Sequence, residues 1–158
     1  MPDQITGIVY TKNVQRSVIS DGPDGPLGDQ VIASGLVFAS PKDSRPVGVF
    51  DLTAFTTSVE GDQERRQVFI ELSLNNSYIR RSWLAAGIRG SSLKKHSRSD
   101  INLIGVEAYP AGGGIPSHPI RLGLAAGTGV FIRTDGVADI SYNQVTQVFA
   151  YDLSLYVN

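Results

Sequence analysis

The sequence predicts an all-β fold, an eight-stranded antiparallel β-barrel formed by one domain that spans residues 1–158. Segments rich in Val, Ile, Thr, Phe and Tyr recur along the chain, and clusters of Gly, Pro, Asp and Ser separate them, which is typical of many short strands. Several segments also alternate between apolar and polar residues. An open sheet of eight strands would expose two unpaired edges, whereas closure removes both. A barrel of this size holds side chains or one small ligand.

The eight apolar segments predict the positions of the strands. We expect them at Ile5–Ile19, Asp29–Ala39, Pro46–Val59, Arg66–Leu74, Asp100–Tyr109, Pro119–Ala126, Gly136–Gln144 and Thr146–Val157. Residues 1–27 thus contain the first strand and a loop rich in Gly and Pro, which cannot pair within a sheet. The glycine-rich segment Ala111–Pro116 is predicted to be a loop of the kind that often contacts ligands at a barrel mouth.

One segment departs from the strand pattern, at residues 77–98. Ser77–Gly90 is predicted to be a helix, with Asn76 or Ser77 as its N-cap and Gly90 as its end. Its apolar residues at positions 79, 83 and 86 fall on one stripe. That stripe either packs against the barrel or forms a lid, in which case Trp83 would contact the substrate.

Composition excludes several function classes. The net charge of −1 argues against a nucleic-acid-binding protein, and the chain contains no cysteine. The sequence contains no run of about 18 apolar residues, so we expect no membrane-spanning helix. The first residues lack the basic start and apolar stretch of a secretion signal. We therefore expect a cytoplasmic protein that binds neither a membrane nor nucleic acid.

An ordered set of motifs runs along the predicted strands. Gly28-Asp29-Gln30-Val31, followed by Ser34–Phe38, resembles the Gly-Asp motif and the apolar strand after it in the allene oxide cyclase and dirigent superfamily of barrels. The later matches follow in the same order over residues 28–157: Pro46–Val49, Asp100–Gly105, Leu124–Phe131 with its Gly-Thr-Gly turn, and Gly136-Val137.

The resemblance implies an eight-stranded antiparallel barrel, a dimer or trimer, and an apolar pocket. The short, cysteine-free chain is closest in character to the bacterial spirotetronate-type cyclases of this superfamily. It therefore suggests a cofactor-free cyclase that performs an intramolecular [4+2] cycloaddition of Diels–Alder type on a small, apolar, polyketide-like substrate. The alternatives are a dirigent-like binding protein that orients radicals formed elsewhere, or an isomerase similar to allene oxide cyclase.

The chain departs from the plant members of the superfamily in several places. Ala126 replaces the first glycine of the turn, Phe131 replaces a tyrosine, and residues 77–98 resemble an insertion. Ala54 aligns with a pocket position at which the plant cyclases carry a cysteine. These departures argue against the plant cyclase chemistry.

A pericyclic cyclase needs an apolar, aromatic-walled cavity that holds the reacting ends of its substrate together. The candidate substrate-binding residues on strands are Phe50, Leu52, Ala54, Phe69, Phe131, Phe149 and Tyr151. Strand parity alone does not decide which of them face inward, because a slip of one residue exchanges the two faces.

Two residues are candidates for catalysis. Tyr142 would donate a hydrogen bond to a substrate carbonyl, or else pack as an ordinary strand tyrosine. Glu71 is either a solvated charge or, if it points inward, a buried acid. Arg121 and Arg133 would bind a carboxylate or an acidic enol, or would lie on the surface.

The sequence predicts no cofactor. His96 and His118 lack metal-ligand spacing, and no phosphate loop or Gly-x-Ser-x-Gly motif occurs. No acid lies between Leu72 and Ser99, whereas that segment contains six basic residues: Arg80, Arg81, Arg89, Lys94, Lys95 and Arg98. They form a solvated face or a docking surface for an acidic acyl carrier protein.

Overall fold

The computed structural model describes residues 3–19, 27–83, 98–110 and 118–157. They form a closed barrel in which each strand pairs antiparallel with the next and the last strand pairs with the first. The strands are β1 Asp3–Ile19, β2 Gln30–Phe38, β3 Gly48–Glu60, β4 Gln63–Asn75, β5 Arg98–Pro110, β6 Ile120–Gly127, β7 Thr134–Asn143 and β8 Val148–Val157. The predicted eight-stranded antiparallel barrel is therefore confirmed.

A short helix follows the fourth strand, as predicted. Helix α1 spans Asn76–Trp83, and the predicted continuation over residues 84–90 lies outside the described residues. The predicted loops at residues 21–26 and 111–116 lie outside them as well. The described helix is too short to cross a membrane.

Alternation along each strand determines which side chains point into the barrel. On β4, the even-numbered residues from 64 to 74 are all buried, and the odd-numbered residues up to 71 are exposed. The same period of two gives β8 its buried Tyr151, Leu153 and Leu155. Side chains of a strand point to opposite faces in turn, so one face of each strand lines the interior.

Large apolar side chains fill one half of the barrel, which we call the closed half. It is the half in which β4 ends and α1 begins. Its inward residues are less than 2% exposed and include Ile5, Leu72, Leu74, Ile101, Phe131 and Leu155.

Helix α1 completes the closed half. Ile79 and Trp83 are buried, and the indole of Trp83 packs edge-on against Phe131, with ring centroids 5.8 Å apart. A Cβ on Gly7 would lie only 2.7 Å from Nε1 of Trp83, so this inward position of β1 leaves room for the indole only because it is glycine. The two described residues of the apolar stripe, Ile79 and Trp83, therefore pack into the barrel, and position 86 lies outside the described residues.

The Gly-Thr-Gly turn after β6 also belongs to the closed half. Gly129 has a φ of 58°, and a Cβ on Gly127 would lie 2.2 Å from the carbonyl oxygen of Phe131. Thr128 between them donates from Oγ1 to Oδ2 of Asp100 at 2.9 Å. Both glycines are therefore required by geometry, one by its backbone conformation and one by a close approach.

A β-bulge in β1 changes which of its residues face the interior. The register between β1 and β2 shifts between Lys12 and Gln15, and Asn13 has a φ of 56°. Ile5, Val9 and Thr11 are buried before the bulge, whereas Val14 and Arg16 line the interior after it. One extra residue exchanges the two faces of a strand, so the bulge turns Arg16 inward.

Candidate ligand cavity in the open half of the barrel

A cavity of about 260 Å³ occupies the other half of the barrel, which we call the open half. Its described lining comes from all eight strands and from Gln147, which precedes β8. The apolar lining residues are Val14, Val31, Ala33, Phe50, Leu52, Ala54, Ile70, Ile120, Ile140 and Phe149. The cavity is large enough for a small organic molecule and is walled mainly by apolar groups, as ligand sites generally are.

Two aromatic pairs shape the wall of the cavity. The rings of Phe50 and Tyr151 lie 6.5 Å apart, and those of Tyr142 and Phe149 lie 4.6 Å apart. Tilted aromatic pairs at these distances stabilise each other and hold their rings in place. The wall therefore offers flat, rigid surfaces to a planar or unsaturated ligand.

A buried ion pair lies toward the mouth of the open half. Glu64 and Arg66 occupy successive inward positions of β4 and are 1% and 5% exposed. The Arg66 guanidinium donates to Oε1 of Glu64, and Oγ1 of Thr56 donates to the same oxygen at 3.2 Å. Removing two charges from water is costly, and only good geometry offsets that cost.

An aromatic ring also lies against the Arg66 guanidinium. It lies 4.7 Å from the ring centroid of Tyr109, which is a cation–π distance. Arg66 therefore has its position set from two sides while still lining the cavity.

Arg16 brings a second positive charge to the cavity lining. Arg16 is exposed by its surface area, and its partial desolvation lowers the pKa of its guanidinium from the usual value, with the nearby Arg66 guanidinium lowering it further. Arginine remains protonated at neutral pH in spite of such shifts. Two guanidinium groups from different strands therefore repel each other beside the cavity.

Two tyrosines of the lining are held in their neutral form. Burial raises the pKa of Tyr109 to about 12 and the pKa of Tyr151 to about 12. At neutral pH both phenols are protonated, so each can donate a hydrogen bond to a ligand oxygen.

The structure brings several of the predicted site residues together. Six of them line the cavity: Phe50, Leu52, Ala54, Tyr142, Phe149 and Tyr151. They come from β3, β7 and β8, and their parity on those strands agrees with the buried residues around them.

Three predicted residues lie on the outer surface instead. Glu71 is exposed, and Phe69 is 39% exposed, because both occupy odd-numbered positions of β4 that point away from the interior. Arg121 is exposed on β6 and forms two hydrogen bonds with the carboxylate of Asp139, at 2.7 and 3.0 Å. None of the three faces the cavity, so we do not place Glu71 in the catalytic machinery.

Two further predicted residues are buried away from the cavity. Trp83 and Phe131 pack against each other in the closed half, where they fill space that a ligand would otherwise occupy. Arg133, also considered as an anion-binding residue, is exposed and has a φ of 63°.

Sequence reasoning missed the charged residues of the cavity. Glu64 and Arg66 share the parity of Val68 and Ile70, so extending the alternation of β4 backwards would have found them. No simple pattern marks Arg16, since the bulge at Asn13 reverses the parity of β1 before it.

The remaining polar candidates do not form a site in the described part of the chain. His118 is exposed, and His96 lies outside the described residues. Among the residues described, no three His, Cys, Asp or Glu side chains converge as metal ligands. Arg80, Arg81 and Arg98 are exposed, whereas Arg89, Lys94 and Lys95 lie outside the described residues, so docking of a carrier protein stays a prediction.

Comparisons with known proteins support the architecture. No family model matches the chain, and no curated protein matches it significantly. Among solved structures, a pyocyanin demethylase is similar with a TM-score of 0.66 and 19% identity, covering 95% of this chain and 98% of its own. The pterocarpan synthase dirigent protein PsPTS1 is similar with a TM-score of 0.55 and 15% identity, covering 98% of this chain and 94% of its own. At these identities the likeness shows a shared barrel fold, of which a dirigent protein is one example.

Proposed function

We propose that the protein binds a small, largely apolar molecule in the open half of the barrel and promotes its intramolecular cyclisation without a cofactor. The observation that carries this proposal is the aromatic-walled cavity of about 260 Å³ whose lining includes buried charge. The similarity to a demethylase supports catalysis in a barrel of this shape.

A [4+2] cycloaddition fits the groups that line the cavity. It forms two carbon–carbon σ bonds from the π bonds of a diene and a dienophile, so no proton, oxidant or leaving group has to be exchanged. Catalysis then consists mainly of holding the reacting carbons about 3–3.5 Å apart. Phe50 and Tyr151 would hold the folded chain, and Tyr142 would donate a hydrogen bond to a carbonyl on the dienophile.

A dirigent-like role is the second candidate, and the similarity to a dirigent protein over nearly the whole chain favours it. In that role the cavity would orient radicals that an external oxidant generates, and the protein would carry out no chemistry. Such a role needs the same apolar walls but no polarising donor.

The first experiment tests whether the cavity binds a small molecule. We expect the neutral aromatic probe 2-naphthamide to bind, as measured by calorimetry, because its bicyclic body is apolar and small. Ala54→Leu adds a branched side chain to the lining, so it should weaken binding at least about tenfold. Ala125→Leu places the same side chain at an exposed position of β6 and should leave binding unchanged.

The second experiment separates the two functions. A linear polyene that carries a diene and an activated dienophile should cyclise faster with the wild type and with Ala125→Leu than in buffer, and Ala54→Leu should lose that gain. If polyenes of this kind gain no rate, the cyclase proposal is wrong. A stereochemical bias in the coupling of externally generated phenoxy radicals would then support the dirigent role.

A further inference from the structure

We infer that the ligand of this cavity carries one acidic group, a carboxylate or an acidic enol, and that Arg16 and Arg66 bind it. This inference rests on the proposed function, because it assumes that the cavity receives a small molecule. It adds the chemical class of that molecule and the two side chains that would select it.

The described cavity lining carries positive charge. Arg16 on β1 and Arg66 on β4 both reach it, whereas its described lining includes no carboxylate. Arg66 is buried and Arg16 is exposed to solvent, and both border a mainly apolar wall. Two cations from separate strands favour an anion there, since opposite charges attract more strongly beside a low-dielectric wall than in water.

The two arginines repel each other, and only one of them has an ion-pair partner among the described carboxylates. Arg66 is 5% exposed and donates to Glu64, whereas the Arg16 guanidinium borders the cavity and is exposed, so a ligand can reach it. No described carboxylate forms an ion pair with Arg16. The lowered pKa of Arg16 reflects partial desolvation and the proximity of Arg66. An anion bound beside both groups would reverse that repulsion, because opposite charge favours the protonated form.

Two acids interact with lining residues, Glu64 with Arg66 and Glu107 with Tyr109, but both are engaged elsewhere. Glu64 accepts hydrogen bonds from Arg66 and Thr56, so its carboxylate is engaged on β4. Glu107 accepts from the backbone N–H of Arg121 at 3.3 Å and thereby links β5 to β6. Neither of these acids lines the cavity. An anionic ligand would therefore meet no competing carboxylate from the described cavity lining.

The rest of the lining sets the shape of the ligand. Ala33, Ala54 and Ile70 leave an apolar space next to the arginines. A charged group alone would leave that space empty, and a wholly apolar molecule would make no ion pair with Arg16. The matching class is therefore an apolar body that ends in a single acidic group.

The test uses two probes that differ mainly in charge, 2-naphthoate and the neutral 2-naphthamide, with binding measured by calorimetry at neutral pH. We expect the wild type to bind the acid about tenfold more tightly than the amide, the ratio expected for a charge-assisted hydrogen bond. Arg16→Gln should remove that preference and leave amide binding within about twofold. Arg16→Lys should retain part of it, because the charge remains.

Arg65→Gln is the matched control, since Arg65 is the outward neighbour of Arg66 and is exposed. It should leave both affinities unchanged. Equal affinity of the wild type for acid and amide, or an equal loss of both in Arg16→Gln, would overturn the inference while leaving the cavity proposal intact. Failure of both probes to bind would overturn the two together.

Discussion

The two halves of the barrel are built from the same alternating strands but are filled differently. In the closed half, inward Leu72, Leu74 and Leu155 meet the rings of Trp83 and Phe131 and leave a solid core. In the open half, the inward positions include Ala33 and Ala54, and a cavity of about 260 Å³ remains. The size of the inward residues, together with the packing of one helix into the barrel, therefore determines which half of this barrel contains a cavity.

The halves also treat polar groups differently. In the closed half, Ser99 donates to Asn76 at 2.7 Å and accepts from the backbone N–H of Val130 at 3.1 Å, so its hydroxyl is fully used by the fold. In the open half, Arg16 and Arg66 point at the cavity. We therefore assign stability mainly to the closed half and propose ligand recognition for the open half.

The sharpest test of this division truncates one aromatic ring in each half. Trp83→Ala should lower the free energy of unfolding by about 3–5 kcal/mol, because it empties a buried site in the closed half. Phe149→Ala should cost less than half as much, since Phe149 is only partly buried and already borders a void. Denaturant unfolding measures both values, and equal losses would break the division.

A second test removes one carboxylate from an ion pair. Glu64→Gln should lower the free energy of unfolding by about 3 kcal/mol, because it leaves Arg66 charged and buried beside a neutral partner. Asp139→Asn weakens the exposed pair with Arg121 on the outer surface and should change stability little. A large effect at Asp139 with none at Glu64 would contradict the assignment of buried charge to the open half.

A third test uses pH to examine burial around the cavity. The pKa of Tyr151 is raised by burial to about 12, above the value of about 10 for an unfolded chain. The contribution of protonated Tyr151 to the free energy of unfolding is thus complete below about pH 10. It is lost as the pH rises toward 12, and the loss is about 2–3 kcal/mol at most.

Tyr109 should behave in the same way. We therefore expect Tyr151→Phe to flatten the decline of stability above pH 10, as measured by urea unfolding at successive pH values. Tyr156→Phe, which alters a 39% exposed side chain, is the control. An identical decline in the wild type and in Tyr151→Phe would show that this ring is not isolated from water.

The smallest expected effect concerns the bulge that turns Arg16 inward. Asn13 has a φ of 56°, which asparagine and glycine adopt more readily than other residues. Asn13→Val should therefore cost about 1–2 kcal/mol and weaken binding of the acidic probe, whereas Asn13→Gly should be nearly neutral. If Asn13→Val matched the wild type in both measurements, the bulge would not determine the position of Arg16.

Alternation made the barrel predictable from the sequence. Strands such as β4 show a period of two that survives without any tertiary information, and turns rich in Gly and Pro separate them. Closure followed from the need to avoid open edges. The length of the strands was harder to predict, because the polar residues Gln63, Glu64 and Arg65 continue β4 before its predicted start at Arg66.

The cavity was only partly predictable. Aromatic side chains and the strand alignment point to Phe50, Ala54 and Tyr151, whereas the sequence leaves Glu71 either as a solvated charge or as an inward acid. Arg16 depends on the bulge, and Trp83 depends on how α1 enters the barrel, so neither position follows from local pattern. Register and tertiary packing thus determine which side chains face the interior, which alternation along a strand does not decide by itself.

The most direct test of the account is a crystal structure of the protein grown with 2-naphthoate. We expect the aromatic body to pack against Phe50 and Tyr151, with its carboxylate within hydrogen-bond distance of Arg16 or Arg66 and the closed half unchanged. A structure in which the protein's own side chains fill the open half, or in which the probe binds only outside the barrel, would contradict it.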